Sequence, residues 1–210
     1  NGNTRIGHLF HNVKMKNGEV TLYTDTLVYD RNKSLEYYKC GGKLVDSLNT
    51  LTSKHGYYYS NTKLAEFRYD VVGFNNNSTI KSDTLTYNTE TKISTILGPT
   101  HIFHSDSTII YSELGWYNSD TDKSKLLKKS LINHGNGKSL AGDTIFYDKR
   151  IGIGEAFHNV ALADTIKKIN LYGHYGYYRE EGEIGIITDS AMAVEYSQKD
   201  TTYIHGDTLY

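Results

Sequence analysis

Ile80-Lys81-Ser82-Asp83-Thr84-Leu85-Thr86-Tyr87-Asn88 is the stretch on which the fold turns. Thr, Ile and Tyr suit a pleated, half-buried surface, and Asn88 opens a polar turn, Asn88-Thr89-Glu90-Thr91. The same pattern recurs around seven anchors, Asp25, Lys54, Asp83, Glu113, Asp143, His174 and Asp207, at spacings of 29, 29, 30, 30, 31 and 33 residues. Three residues before each anchor stand Leu22, Leu51, Ile80, Ile110, Leu140, Leu171 and Ile204, aliphatic throughout. One residue before it stand Thr24, Ser53, Ser82, Ser112, Gly142, Gly173 and Gly206, always small. Four residues after it stand Tyr29, Tyr58, Tyr87, Tyr117, Tyr147 and Tyr178. Two residues after it, aliphatic Leu27, Leu85 and Ile145 alternate with Gly56, Gly115 and Gly176, so a pair of copies, about 60 residues, is a candidate for the true unit.

Parity is the informative detail. The aliphatic residue and the Tyr of one copy lie seven apart, which in a straight strand points them to opposite faces. Either the sheet is buried on both sides, or the strand bends near the small residue and turns both side chains inward. A small residue at that place in every copy favours the bend, because bulges and corners need unusual backbone angles or close approach. Each copy continues through a polar turn into a second extended run, with Tyr38, Phe67, Ile96, Leu126, Ala156 and Ile187 thirteen residues past the anchor. That run is broken by small or Asn-containing segments such as Cys40-Gly41-Gly42, Gly98-Pro99 and His158-Asn159-Val160. Two extended runs per copy make an antiparallel meander, and strands that bend once pass from one sheet to a second facing it. The expectation is all-β: an elongated jelly-roll of two facing antiparallel sheets, built from about seven 29–33-residue repeats as one domain over residues 1–210.

Composition narrows the function. Leu, Ile, Val and Phe total 49 of 210 residues, enough for a core but a thin one. Lys and Arg number 23 against 24 Asp and Glu, so no global positive field exists to gather nucleic acid. A single cysteine, Cys40, excludes an intrachain disulfide and a thiolate-rich metal site. The opening residues, Asn1 to Arg5, lack the apolar run of a leader, as a trimmed chain would. His8 with His11 and His101 with His104 are spaced three apart, on opposite faces of a strand, and make no convincing metal site. The repeated Asp25, Asp83, Asp143 and Asp207 form a ladder, which suits backbone capping at a corner better than catalysis. No nucleophile elbow, Walker loop or dinucleotide fingerprint occurs, and a β-helical carbohydrate enzyme would lack its acidic cluster. Neither catalytic residues nor a cofactor are expected. Lys123, Lys125, Lys128 and Lys129 are candidates for lipid phosphates or for an ordinary solvated edge.

The fragments Gly18-Glu19-Val20-Thr21-Leu22-Tyr23-Thr24-Asp25-Thr26-Leu27-Val28-Tyr29-Asp30, Ile80 to Asn88, and His158-Asn159-Val160-Ala161-Leu162 resemble the OstA-like, or LptA-like, proteins of lipopolysaccharide transport. The Tyr-rich form is most similar to those of Bacteroidetes. The resemblance implies a periplasmic jelly-roll whose apolar interior shields acyl chains of lipopolysaccharide or its lipid A. It also implies partners with the same fold joined through edge strands, and head-to-tail association of the chain with itself. The residues put forward for the lipid-facing interior are the aliphatic row Leu22, Leu51, Ile80, Ile110, Leu140, Leu171 and Ile204, with Leu27, Leu85 and Ile145 and the Tyr row Tyr29, Tyr58, Tyr87, Tyr117, Tyr147 and Tyr178. Taken by themselves, these rows fit a filled core as well as a groove. A structural β-repeat scaffold that self-assembles through its edges without lipid is the alternative.

Overall fold

A computed structural model describes residues 5–196 and 200–210. Most of the opening stretch read for a leader, Asn1 to Thr4, therefore lies outside the described residues. Every described element is a β-strand, and the paired strands run antiparallel. The chain divides into two compact units, one of residues 1–100 with 118–120, the other of residues 101–117 with 121–210.

The first unit holds β1 (Ile6–Asn17), β2 (Val20–Asp30), β3 (Leu35–Tyr38), β4 (Gly42–Val45), β5 (Thr50–Ser53), β6 (His55–Tyr59), β7 (Leu64–Phe74), β8 (Ser78–Asn88) and β9 (Ile93–Ile96). One half of β2 pairs with β4 and the other with β3; β7 likewise pairs with β5 and with β6. The short strands are therefore halves of long ones interrupted at one level. The second unit begins within β10 (Thr100–His104) and continues through β11 (Ile109–Ser112), β12 (Leu114–Asn118), β13 (Lys123–His134), β14 (Lys138–Asp148), β15 (Ile153–Asp164), β16 (Ile169–Arg179), β17 (Ile184–Tyr196) and β18 (Thr201–Leu209). From β13 to β18 it is a plain meander, each strand paired with the next.

The interruption is the bend that parity asked for. Between Arg68 and Val71 of β7, two residues, Tyr69 and Asp70, face the single anchor Asp83 of β8. Both have positive φ, 65° and 52°. The same two-against-one count sets His11–Asn12 against Asp25, Lys128–Lys129 against Asp143, His158–Asn159 against His174, and Asp189–Ser190 against Asp207, every one of the paired residues left-handed. A left-handed residue with a Cβ costs roughly 1–2 kcal/mol, least for Asn and Asp, so ten of them in register mark a designed corner. Across it the inward parity flips: Ile80 and Leu85, five apart, are both buried, as are Leu140 and Ile145.

One part of the expectation needs correcting. None of the small residues before the anchors has positive φ; the left-handed pairs sit on the neighbouring strand. What the small residue supplies is a hydroxyl that bridges the corner. Thr24, Ser53, Ser82 and Ser112 each donate to the carbonyl two residues on, at 3.2, 2.7, 3.0 and 2.8 Å. At Gly173 close approach is the reason, since a Cβ would collide with Ile187 and stand 2.6 Å from the Thr188 carbonyl.

The halves on either side of the corner face each other. Gly154 lies beyond the corner, paired with Tyr147, yet a Cβ there would stand 2.8 Å from Leu140 Cδ2, on the near half of β14. Gly176 meets Val160 of the opposite half in the same way, at 2.6 Å. In each unit the apolar core lies between two walls of a β-jelly-roll.

Candidate binding interior

The corner sorts the aliphatic and Tyr rows into this interior. In the first unit Leu22, Leu51 and Ile80 are buried on one wall and Leu27 and Leu85 on the other; in the second, Ile110 and Leu140 are buried on one wall and Ile145 on the other. Tyr58, Tyr87, Tyr117, Tyr147 and Tyr178 are buried with them, while Tyr29 is half-buried. The rows change character toward the last strands: Leu171 is half-buried and Ile204 is 48% exposed.

Two further rows turn inward: the first was read from sequence only as part of a second extended run, and the second was not singled out. Tyr38, Phe67, Ile96, Leu126, Ala156 and Ile187 are all buried, facing the anchor-strand residues across the ladder. Leu44, Gly73, Ile102, Ile132, Leu162 and Ala193, nineteen residues past each anchor, line the other wall. Their regular offset was the available signal, but the two left-handed residues between the rows break the alternation that would have exposed it.

The Tyr hydroxyls reach the seam opposite the corner, where hairpin turns of the two walls meet. In the first unit Tyr87 Oη donates to Asp46 Oδ2 at 2.6 Å and accepts from Asn49 Nδ2 at 2.8 Å. Lys92 Nζ pairs with the same Asp46 oxygen at 3.0 Å, and the backbone N–H groups of Leu48 and Asn49 donate to the other. Burial raises the Asp46 carboxyl, but these donors outweigh it and hold the group below the usual carboxylate range. Burial and the Asp46 charge push the Tyr87 phenol far up, so the hydroxyl is a permanent donor. In the second unit Tyr147 Oη donates to Glu180 Oε1 at 2.7 Å, and His134 Nδ1 stands 3.3 Å from the same oxygen. Lys149 Nζ lies 2.5 Å from Asp106 and 3.6 Å from Glu180. The Asp106 carboxyl, raised by burial, is brought down to about 2 chiefly by Lys149.

Small residues oppose most of the buried tyrosines: Ala65 lies between Tyr58 and Tyr87 in the ladder, and Gly154 between Tyr147 and Tyr178. The first copy breaks this rule with Glu36, opposite Tyr58. Its side chain is buried, Oε2 has no partner, and burial pushes its pKa to about 7. Tyr38 Oη and Ser53 Oγ, 2.8 Å apart, connect the two walls, and burial raises the Tyr38 phenol to about 12.

The remaining candidates are used structurally. Three anchors contact side chains of the left-handed pairs: Lys54 pairs with Asp70 at 2.6 Å, Glu113 with Lys128 at 3.0 Å, and Asp143 accepts from Asn159 at 2.7 Å, whereas Asp83 accepts from the Thr84 hydroxyl at 3.2 Å. Capping by carboxylates and amides does occur, at the hairpin turns, where Asp30 and Asn88 accept N–H groups two and three residues on. Lys123 pairs with Asp148, and Lys125 sits over the Phe146 ring. His101 lies against Phe103 and Tyr111, whereas His104 is turned toward Tyr117. Among the described residues no group of three His, Cys, Asp or Glu is placed to hold a metal ion.

Known proteins bear on this geometry in two ways. The solved structure of LptH, the LptA homologous periplasmic component of the lipopolysaccharide transport device of Pseudomonas aeruginosa, is similar over 74% of this chain and 93% of that one, at 11% identity and a TM-score of 0.30. No curated protein matches the sequence. The family model described as OstA-like protein matches residues 1–83 and 58–126, together more than half of the chain. Repeats turned inward at a bulged corner and a family match that covers the first unit and runs into the second lead to one assignment: this chain belongs to the OstA-like protein family.

Proposed function

We propose that this chain is a non-enzymatic periplasmic component of lipopolysaccharide transport to the outer membrane, sheltering acyl chains of lipopolysaccharide or lipid A between its walls. The observation that carries the reading is the corner itself. It turns the aliphatic row and the Tyr row, an odd number of residues apart, to one interior. Each acyl methylene buried there contributes roughly 0.8 kcal/mol. In the first unit the rows fill the space they enclose, so an acyl chain enters by parting the walls along the seam. On this reading residues 1–210 act as one repeat domain. Its partners are other lipopolysaccharide transport proteins of the same fold, joined through edge strands, and further copies of the chain head to tail.

Solvent extraction of the purified protein followed by mass spectrometry tests this directly. Bound acyl lipid in stoichiometric amount is the expected result. A second reading, a self-assembling scaffold without lipid, draws on the close packing of Leu44, Phe67 and Leu85. A lipid-free protein that still assembles in solution selects that reading instead.

A further inference from the structure

The second unit contains two adjoining cavities of opposite character. One, of about 260 Å³, is polar and is lined by Asp106, Thr108, His134, Asn136 and Glu180 among others. The other, of about 210 Å³, is mainly apolar and is lined by Leu162, Ile169 and Leu171 among others. Lys138, Tyr178 and Glu183 belong to both, so the cavities meet at those three side chains. A polar chamber opening onto an apolar one is the negative of an amphiphile.

The chemistry of the polar chamber says which head it takes. Its carboxylates already face cations: Lys149, outside the lining, pairs with Asp106 at 2.5 Å, and Lys138 of the lining with Glu183 at 2.7 Å. The second contact is an ion pair off the line of a hydrogen bond. Tyr147 gives its proton to Glu180. Lys138 Nζ and His134 Nε2 are the buried lining atoms left without a hydrogen-bond partner, and His134 is the acceptor of the two. Its side chain is 6% exposed, with the Tyr178 ring 5.0 Å away and the Tyr147 ring 6.0 Å away. Burial lowers its pKa, so the ring is neutral at pH 7. With Nδ1 facing the Glu180 carboxylate, the proton belongs on Nδ1, and Nε2 is a lone-pair acceptor. That buried Nε2 has no partner, a desolvation cost that persists until a donor supplies one. Three carboxylates line the same space and can accept further hydrogen bonds. An incoming phosphate would meet one lining ammonium, Lys138, already ion-paired, against three carboxylates.

Accepting that the interior holds lipid, we infer that the second unit binds an amphiphile by a head bearing hydrogen-bond donors, hydroxyl or ammonium, rather than by a bare phosphate. The tail lies against Leu162, Ile169 and Leu171, and a head O–H or N–H donates to His134 Nε2. Glu183, at the junction of the cavities, takes a second donor.

Titration of the full chain at pH 7 with three single-chain probes, dodecylammonium, dodecyl glucoside and dodecyl phosphate, each below its micelle concentration, tests this. Isothermal calorimetry gives affinities, and the His134 Nε2 nitrogen resonance reports the head. At least one donor-bearing probe binds ten times more tightly than dodecyl phosphate and moves the His134 resonance; which of them does so separates hydroxyl from ammonium. His134→Phe, which keeps a ring but removes the acceptor, and Glu183→Gln, at a half-exposed side chain, each reduce that preference at least threefold. Equal or tighter binding of dodecyl phosphate overturns the head assignment and leaves the lipid reading standing. Failure of all three probes to bind counts against lipid in this cavity altogether.

Discussion

The two units treat the same inward rows differently. In the first, Leu44, Leu51, Phe67, Leu85 and Tyr87 are at most 2% exposed, and the Tyr87 hydroxyl is locked to Asp46, Asn49 and, through Asp46, Lys92. In the second, Ile110, Leu126, Leu140 and Ile145 are packed as tightly, but toward the last strands Leu171 is half-buried beside a cavity of about 210 Å³, and the seam is built around Glu180, whose side chain is 35% exposed. Side-chain size at the facing rows accounts for this. Thirteen residues past the anchor the first unit places Tyr38 and Phe67 where a later copy places Ala156, and nineteen past it Leu44 where the last full copy places Ala193. One backbone plan therefore yields a packed core or leaves room, according to which residues occupy the second run of each copy.

Core truncation should separate the units most widely. Leu85→Ala removes a fully buried side chain and is expected to cost about 2–5 kcal/mol, whereas Leu171→Ala should cost about 1 kcal/mol or less. Urea denaturation measures both, and equal costs would erase the distinction. The seams provide the next test. Tyr87→Phe leaves a buried carboxylate short of a donor and should destabilise by about 2 kcal/mol. Tyr147→Phe should cost about half as much, because Glu180 keeps Lys149 and His134 and has access to water.

A third prediction concerns Glu36, the one carboxylate among the inward positions opposite the tyrosines. Its folded pKa of about 7 lies above the ordinary glutamate value of 4.5, so the folded state favours the protonated form. Stability is therefore lost as pH rises from about 4.5 through 7. Glu36→Gln should leave stability at pH 4 unchanged and raise it by about 2 kcal/mol at pH 8, with the gain appearing across that window. A gain independent of pH would mean the carboxyl is not penalised by burial. The smallest effect is expected outside the core: Lys54→Ala breaks an exposed corner ion pair with Asp70 and should leave the melting temperature unchanged.

Much of this arrangement could be read from the residues, and what could not has an identifiable physical reason. The odd spacing from Ile80 to Tyr87 left a bend or a sheet buried on both sides, the small residue favoured the bend, and the bend lies at Asp83, where the repeat was anchored. Its mechanism was hidden, because it depends on left-handed backbone at Tyr69–Asp70 and Lys128–Lys129, residue pairs with no common chemistry. Ser82 looked like a steric requirement and instead donates a hydrogen bond across the corner. Asp83 and Asp143 looked like backbone caps, whereas the caps are Asp30, Asp46 and Asn88 at the turns. The seam was illegible for another reason. Asp46 and Tyr87 are 41 residues apart and meet only when the walls fold over each other, a juxtaposition that no local spacing encodes.

Site-specific photocrosslinking with lipopolysaccharide tests the central claim, that inward and outward faces are sorted by the corner and that lipid takes the inner one. A photoreactive residue at Leu140, 1% exposed, is compared with one at Leu131, which is 37% exposed on the neighbouring strand. Lipid adducts at Leu140 and none at Leu131 are the result expected here; adducts at Leu131 with none at Leu140 would contradict it.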